Sequence, residues 1–183
     1  MEASILWRRL DAPGHDACRL QARGVGWLLE GTAAILLDGL PARLSYAVAC
    51  DQGWQTEHGR VRGWVGSRSV RYEVVRSSDG TWMLNEKAVA GLESCVDLDL
   101  AFTPATNLLH LRRVALPEGL AADFPVAWFD VTSGTLRVLP QHYERRSETS
   151  YWYASPTADY AALLEVSPNG FVRKYPGLWE EET

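Results

Sequence analysis

Turn chemistry interrupts this chain at intervals of roughly 8–12 residues, and the runs between the interruptions alternate apolar and polar side chains. Asp11-Ala12-Pro13-Gly14, Asp51-Gln52-Gly53, Ser77-Ser78-Asp79-Gly80 and Ser167-Pro168-Asn169-Gly170 are the clearest breaks. Each is built from residues that favour tight turns, and Asp79-Gly80 accepts positive φ at low cost. Little room remains for a long helix. Within the runs the period is two, as in Leu40 to Cys50, where Leu44, Tyr46, Val48 and Cys50 share one parity. Alternation of that kind marks half-buried strands. The pattern predicts an all-β fold, mainly antiparallel, forming a sandwich, barrel or roll as one domain over residues 1–183.

Other extended runs are expected at Ser4–Leu10, at Asp16–Ala22 with Cys18 and Leu20 inward, at Gly24–Thr32 and at Ala33–Leu37. Phe124–Asp130 and Thr135–Tyr143 follow the same logic, with Pro140 marking an edge or a bend. Asp159–Val166 and Phe171–Tyr175 make a closing hairpin. Leu116–Ala122 is the best candidate for a helical turn, although Gly119 weakens it.

One stretch concentrates the polar residues among apolar ones: Leu92 to Arg113, LESCVDLDLAFTPATNLLHLRR. From Cys95 to Phe102 alternation is strict. Val96, Leu98, Leu100 and Phe102 take one side, and Cys95, Asp97, Asp99 and Ala101 the other. Thr103 to Asn107 breaks the run with turn residues. Leu108 to Val114 reads as a second extended segment. On strand parity Arg112 then shares a side with Leu108, His110 and Val114, and Arg113 with Leu109 and Leu111. Polar groups at the edge of a core or cavity are the expectation.

The same stretch resembles the signature of the glycolipid-binding family of bacterial proteins. That signature is a Cys-x-Asp-x-Asp-Leu strand, a Phe-x-Pro-x-Thr-Asn turn, and a short apolar run ending Arg-Arg. The turn stands here as Phe102 to Asn107 and the pair as Arg112-Arg113, with His110 where the family usually has Pro. Trp54-Gln55-Thr56, Asp79 to Trp82, Gln141-His142-Tyr143 with Arg145, and Gly170 through Leu178 extend the resemblance over most of the chain. It implies a spiral β-roll: a long antiparallel sheet around a single helix, with a tunnel or pocket, seen as a homodimer. No catalytic residues come with it, and it leaves the helix unplaced.

Composition narrows the function. A formal net charge of −5 opposes general nucleic-acid binding. Lys87 and Lys174 are the only lysines. Gly59 to Arg76 carries five arginines against one acid, Glu73. Arg60, Arg62 and Trp64 share a face there, and Arg68, Val70, Tyr72, Val74 and Arg76 another. Such a ribbon can bind an anionic headgroup, or it can be a solvated face whose arginine stems cover apolar surface. Cys18, Cys50 and Cys95 are widely spaced, which suits buried thiols better than disulfides or zinc. The opening residues lack a signal-peptide core, and no apolar run approaches the ~20 residues of a membrane span. A soluble cytoplasmic protein is expected.

Catalytic motifs are sparse. No nucleophile elbow, phosphate-binding glycine loop or dinucleotide fingerprint occurs. His15, His58, His110 and His142 have no metal-ligand spacing, and no cofactor or metal is implied. Only Asp97 and Asp99 suggest catalysis. On a strand their Cα atoms would be about 6.5–7 Å apart on one face, a separation suited to acid–base work on a sugar. The alternative is pairing with Arg112 or Arg113. The reading that follows is a binding protein for a lipid or glycolipid-like ligand. Trp54, Trp64 and Trp82 would form apolar or sugar-stacking walls, Asp97, Asp99, Asn107, Arg112 and Arg113 the polar set, and Tyr143 the mouth. A non-catalytic structural or regulatory homodimer and a sugar hydrolase using Asp97 or Asp99 are the alternatives.

Overall fold

The protein's structure, a computed structural model, describes residues 2–183. Eight strands run as one meander: β1 (Ala3–Arg9), β2 (Gly14–Arg23), β3 (Gly26–Leu37), β4 (Leu40–Cys50), β5 (Thr56–Val65), β6 (Arg68–Arg76), β7 (Trp82–Leu84) and β8 (Lys87–Val89). Strand β9 (Leu98–Leu100) and the helix α1 (Asn107–Val114) follow. A second meander comprises β10 (Ala121–Asp130), β11 (Thr135–Ser147), β12 (Ser150–Ser155), β13 (Tyr160–Val166), β14 (Val172–Tyr175) and β15 (Trp179–Glu181). All fifteen strands form one sheet, in the order β8-β7-β6-β5-β4-β3-β2-β1-β15-β14-β13-β12-β11-β10-β9. Every pairing is antiparallel except β9 with β10, where the helix supplies the return that a parallel pair needs. The sheet is not a closed barrel, since β8 and β9 remain as its edges.

The sheet rolls until one edge lies inside the other flank. Residues leading into β9 pack against the inner side of β5–β7. The Thr56 amide donates to Val96 O at 3.3 Å, and the Trp82 indole donates to Cys95 O at 3.1 Å. Leu98 sits directly over Gly59, where a methyl group would overlap its Cδ2. The alternating residues of β2–β5 turn their apolar parity into this roll: Cys18, Leu20, Leu29, Leu44, Tyr46, Val48 and Val61 are buried. Trp7, Trp82 and Phe129 fill the main core with them. A smaller core gathers Leu111, Phe124, Tyr143, Tyr151, Tyr153 and Leu164 on the other side of the helix. With these side chains packed in the centre, the concave features of the fold are pockets rather than a through-tunnel.

Four local expectations change. Leu108 to Val114 is helix, not strand. Eight residues are too few for periodicity to separate the two, and the leucines and arginines are good helix formers. The helix stops at Ala115, which adopts φ 45° and returns its amide to Leu111 O at 3.1 Å, with Pro117 just beyond. Arg112 and Arg113 lie in its last turn, where cations oppose the helix dipole. Leu116 to Ala122 is a link and the start of β10. The strand expected from Cys95 to Phe102 shortens to Leu98–Leu100, and it is buried on both faces because α1 covers the aspartate side. Gly24–Thr32 and Ala33–Leu37 merge into β3, paired along its length with β2 and β4. Pro140 lies two residues before His142, where the pairing of β11 with β12 begins, so its missing N–H costs that ladder nothing.

Candidate functional site

The residues between β9 and α1 are held by buried carboxylates. Asp16, on the inward parity of β2, accepts from the Tyr46 hydroxyl at 2.8 Å and from the Thr103 hydroxyl. Thr103 in turn accepts the Ala105 amide at 3.0 Å, which tightens the turn before the helix. Asp99 accepts from Gln141 Nε2 at 2.7 Å and, more weakly, from the Thr106 hydroxyl at 3.4 Å. Thr106 also takes the Leu100 amide at 3.1 Å. Those bonds explain why Thr106, at the N-cap, makes no capping bond to the helix. Burial pushes both Asp16 and Asp99 up to about 6, and hydroxyl or amide donors only partly offset it.

Asp97 is handled differently. Its carboxylate is fully buried and takes a fork from Arg113: Nε at 3.0 Å from Oδ1 and a terminal nitrogen at 2.7 Å from Oδ2. The two acids expected as a catalytic pair therefore have separate commitments, one to a cation and one to neutral donors. Next to them Asn107 Nδ2 donates to the Tyr143 hydroxyl at 2.8 Å, and His110 Nε2 lies 2.7 Å from the same oxygen. Among the described residues, the His110 Nδ1 on the far side of the ring is buried without a hydrogen-bond partner. Burial drives the His110 pKa down to about 4.

A cavity of about 260 Å³ opens at the start of the helix. Asp99, Thr103 and Asn107 form its polar wall. Trp128, Tyr153, Tyr160, Tyr175 and Trp179 supply five rings from β10, β12, β13, β14 and β15. Exposed Ala101 and Ala158 lie at its rim. Burial raises the Tyr153 and Tyr160 phenols to about 12 and Tyr175 well above the usual range, so all three are neutral near pH 7, and Tyr160 gives its proton to Pro176 O at 2.6 Å. Asn107 spends its amide nitrogen on Tyr143, which leaves Oδ1 as the acceptor it can offer. A larger concavity of about 870 Å³ lies on the outer face of β1–β5, but it is an open groove floored by small residues such as Ala17, Gly31, Ser45 and Ala47. Convergent buried polar groups occur in the smaller cavity and not in the groove.

The structure distributes the candidate residues as follows. Asp99 and Asn107 meet at the cavity, and Asp97 with Arg113 forms the ion pair behind them. Arg112 leaves the other side of α1, donates to Asn169 O at 2.7 Å and lies over the Trp54 ring at 5.7 Å. Trp54 adopts φ 67°, an uncommon conformation for a bulky residue, and stacks on Trp27 with centroids 4.5 Å apart. Both of its faces are thus occupied. Trp82 is core, 1% exposed, and Trp64 stands on the outer face of β5. Tyr143 is fully buried and is not a mouth residue. Sequence reasoning misses Asp16, Gln141 and the five-ring wall. The inward parity of Asp16, shared with Cys18 and Leu20, is a usable signal. The rings come from five strands and leave none. Cys18, Cys50 and Cys95 are buried free thiols, and burial raises all three. Among the described residues no three His, Cys, Asp or Glu side chains gather as metal ligands, and no helix is long and apolar enough to cross a membrane.

Comparison with known proteins agrees with this architecture. No curated protein matches the sequence. The crystal structure of a DUF1089 family protein from Pseudomonas aeruginosa matches with a TM-score of 0.75, covering 88% of this chain and 89% of that one at 23% identity. At that identity the likeness speaks to the fold. A family model described as "Putative glycolipid-binding" matches residues 4–181. With nearly the whole sheet, the helix and the aspartate-bearing stretch inside that match, the chain belongs to that family.

Proposed function

We propose that the cavity at the start of α1 receives the sugar headgroup of a glycolipid. The observation that carries this reading is the meeting of Asp99 and Asn107 with five aromatic rings in about 260 Å³. Aromatic faces pack against the C–H side of a sugar, while a carboxylate and an amide oxygen accept from its hydroxyls. The volume falls below the ~300 Å³ where pockets for whole small molecules begin, which favours a headgroup over acyl chains. Trp, Leu and Phe side chains fill the centre of the roll, so lipid tails would remain outside the cavity. A hydrolase would need a second free carboxyl at the sugar. Asp97 is held by Arg113, and Asp16 by Thr103 and Tyr46.

Native mass spectrometry of the purified protein, followed by lipid extraction, tests the reading. A glycolipid adduct is expected, and Tyr160→Ala, which removes a half-buried wall residue, should lose it while circular dichroism stays unchanged. The same spectrum reports whether the chain pairs as a homodimer. A ligand-free parent that also gives no heat on titration with glycolipid would overturn the proposal.

A further inference from the structure

Among the described residues, the outer face of β4, β5 and β6 carries four arginines that make no ion pair. Arg43, Arg60, Arg62 and Arg71 are all exposed. Arg62 stands directly across the ladder from Arg71, and Arg43 directly across from Trp64. Like charges facing each other across a pair of strands are unfavourable. Elsewhere on the sheet the arrangement is the opposite. Arg8 pairs with Glu180, Arg19 with Glu30, Arg146 with Glu144 and Arg173 with Glu181. Among the described residues none of the four β4–β6 arginines has an acidic partner within 4 Å. Glu73, on the same outer parity of β6, stands directly across the ladder from Arg60, and its carboxylate lies 3.5 Å from His58. A chain of net −5 thus gathers arginines on one face, where Arg43, Arg62 and Arg71 have no acid across the ladder.

Aromatic and apolar surface accompanies it. Trp64 is 39% exposed in the middle of the cluster. Leu40, 50% exposed, sits at the adjoining hairpin tip beside Gly66. Tryptophan among arginines at a polar boundary is the composition of a membrane interface, where the ring lies at headgroup level and the guanidiniums meet phosphates. Successive outward residues on a strand are about 6.5–7 Å apart, so the four heads spread along three strands and do not all converge on one anion. We propose that this face docks on an anionic lipid bilayer. The cavity plays no part in that contact. Docking would, however, bring a protein that takes a glycolipid headgroup to the surface where such lipids reside.

Co-sedimentation of the full chain with lipid vesicles tests the proposal. Binding is expected to phosphatidylcholine vesicles containing phosphatidylglycerol and not to phosphatidylcholine alone. It should vanish near 1 M salt, where the screening length shrinks to about 3 Å. Arg62→Gln with Arg71→Gln should weaken partitioning about 30-fold, at about fivefold per arginine. Arg23→Gln with Arg146→Gln changes net charge equally and should leave it unaltered. Equal sedimentation with both vesicle types, none with either, or equal loss in both double variants would overturn the proposal. So would pyrophosphate binding to Arg62 and Arg71 without vesicle binding, which would assign the face to a soluble phosphate ester. The vesicles contain no glycolipid, so failure here leaves the headgroup reading intact, and the converse also holds.

Discussion

Removing Arg113 strands a carboxylate, and the cost of doing so can be worked from the geometry. Asp97 has no solvent access, while the Arg113 side chain is 24% exposed. The pair is consequently asymmetric. Arg113→Ala leaves a fully buried charge without its fork, a change that costs about 3–5 kcal/mol. Asp97→Asn leaves an arginine that can turn to water, so its cost should be smaller, about 1–3 kcal/mol. Arg112→Ala loses carbonyl contacts at Pro168 and Asn169 and the stacking on Trp54, groups at least partly wet, and should cost about 1 kcal/mol. For a chain of this length each kcal/mol moves Tm by about 2–4 °C, so Arg113→Ala should fall on the order of 10 °C and Arg112→Ala only about 3 °C. Thermal melts and urea titrations of the two variants, Asp97→Asn and the Asp97→Asn/Arg113→Ala double give the full cycle. The double variant should be more stable than Arg113→Ala alone, because neutralising the acid removes the stranded charge. Equal melting of Arg112→Ala and Arg113→Ala, or a double variant less stable than either single one, would refute this account of the ion pair.

The remaining predictions concern titration and packing. Asp99 keeps its proton to about 6 when folded against about 3.8 unfolded, so its contribution favours folding at low pH and is lost as pH rises through 6. Asp99→Asn should therefore gain on the parent by on the order of 1 kcal/mol between pH 5 and pH 7.5, in urea titrations at each pH. His110 works in the opposite sense: held neutral down to about 4, it destabilises the fold as pH falls below 6.5, and His110→Gln should flatten that limb. Gly59→Ala places a methyl against buried Leu98 and should cost about 1–3 kcal/mol, with partial recovery in Gly59→Ala/Leu98→Ala. No recovery would mean that the roll is not sealed at this contact.

Hairpins were the most legible part of the chain, because turn residues and period-two alternation act locally. Leu44, Tyr46, Val48 and Cys50 all face inward, as their parity requires. The helix was not legible. Leu108 to Val114 satisfies either period, and what decides for helix is burial of Asn107 through Leu111 inside the roll, a tertiary condition. Arg113 shows how the element changes a residue's surroundings. Strand parity sets it beside Leu109 and Leu111, whereas helical geometry brings it to Asp97. At the cavity, Asp99 and Asn107 stand out as polar residues in an apolar stretch. Trp128, Tyr153, Tyr160, Tyr175 and Trp179 come together only through strand order, which no local pattern encodes.

Strand order also has a consequence for how the chain assembles. Every pairing in the sheet joins strands consecutive in sequence, except β1 with β15. Each meander can thus zip from local hairpins, and a single seam must wait for residues some 170 positions apart to meet, as in Trp7 with Glu181. Loop-closure entropy makes that step the slow one. Until it occurs, β1 and β15 present open edges, the surfaces on which a partly made chain is most prone to pair with another copy. Cutting the chain between β8 and β9 and linking residue 183 to residue 2 would turn the seam into an ordinary hairpin and leave every strand beside its sequence neighbour. A rearranged chain of that kind should refold faster than the parent while keeping the same cavity.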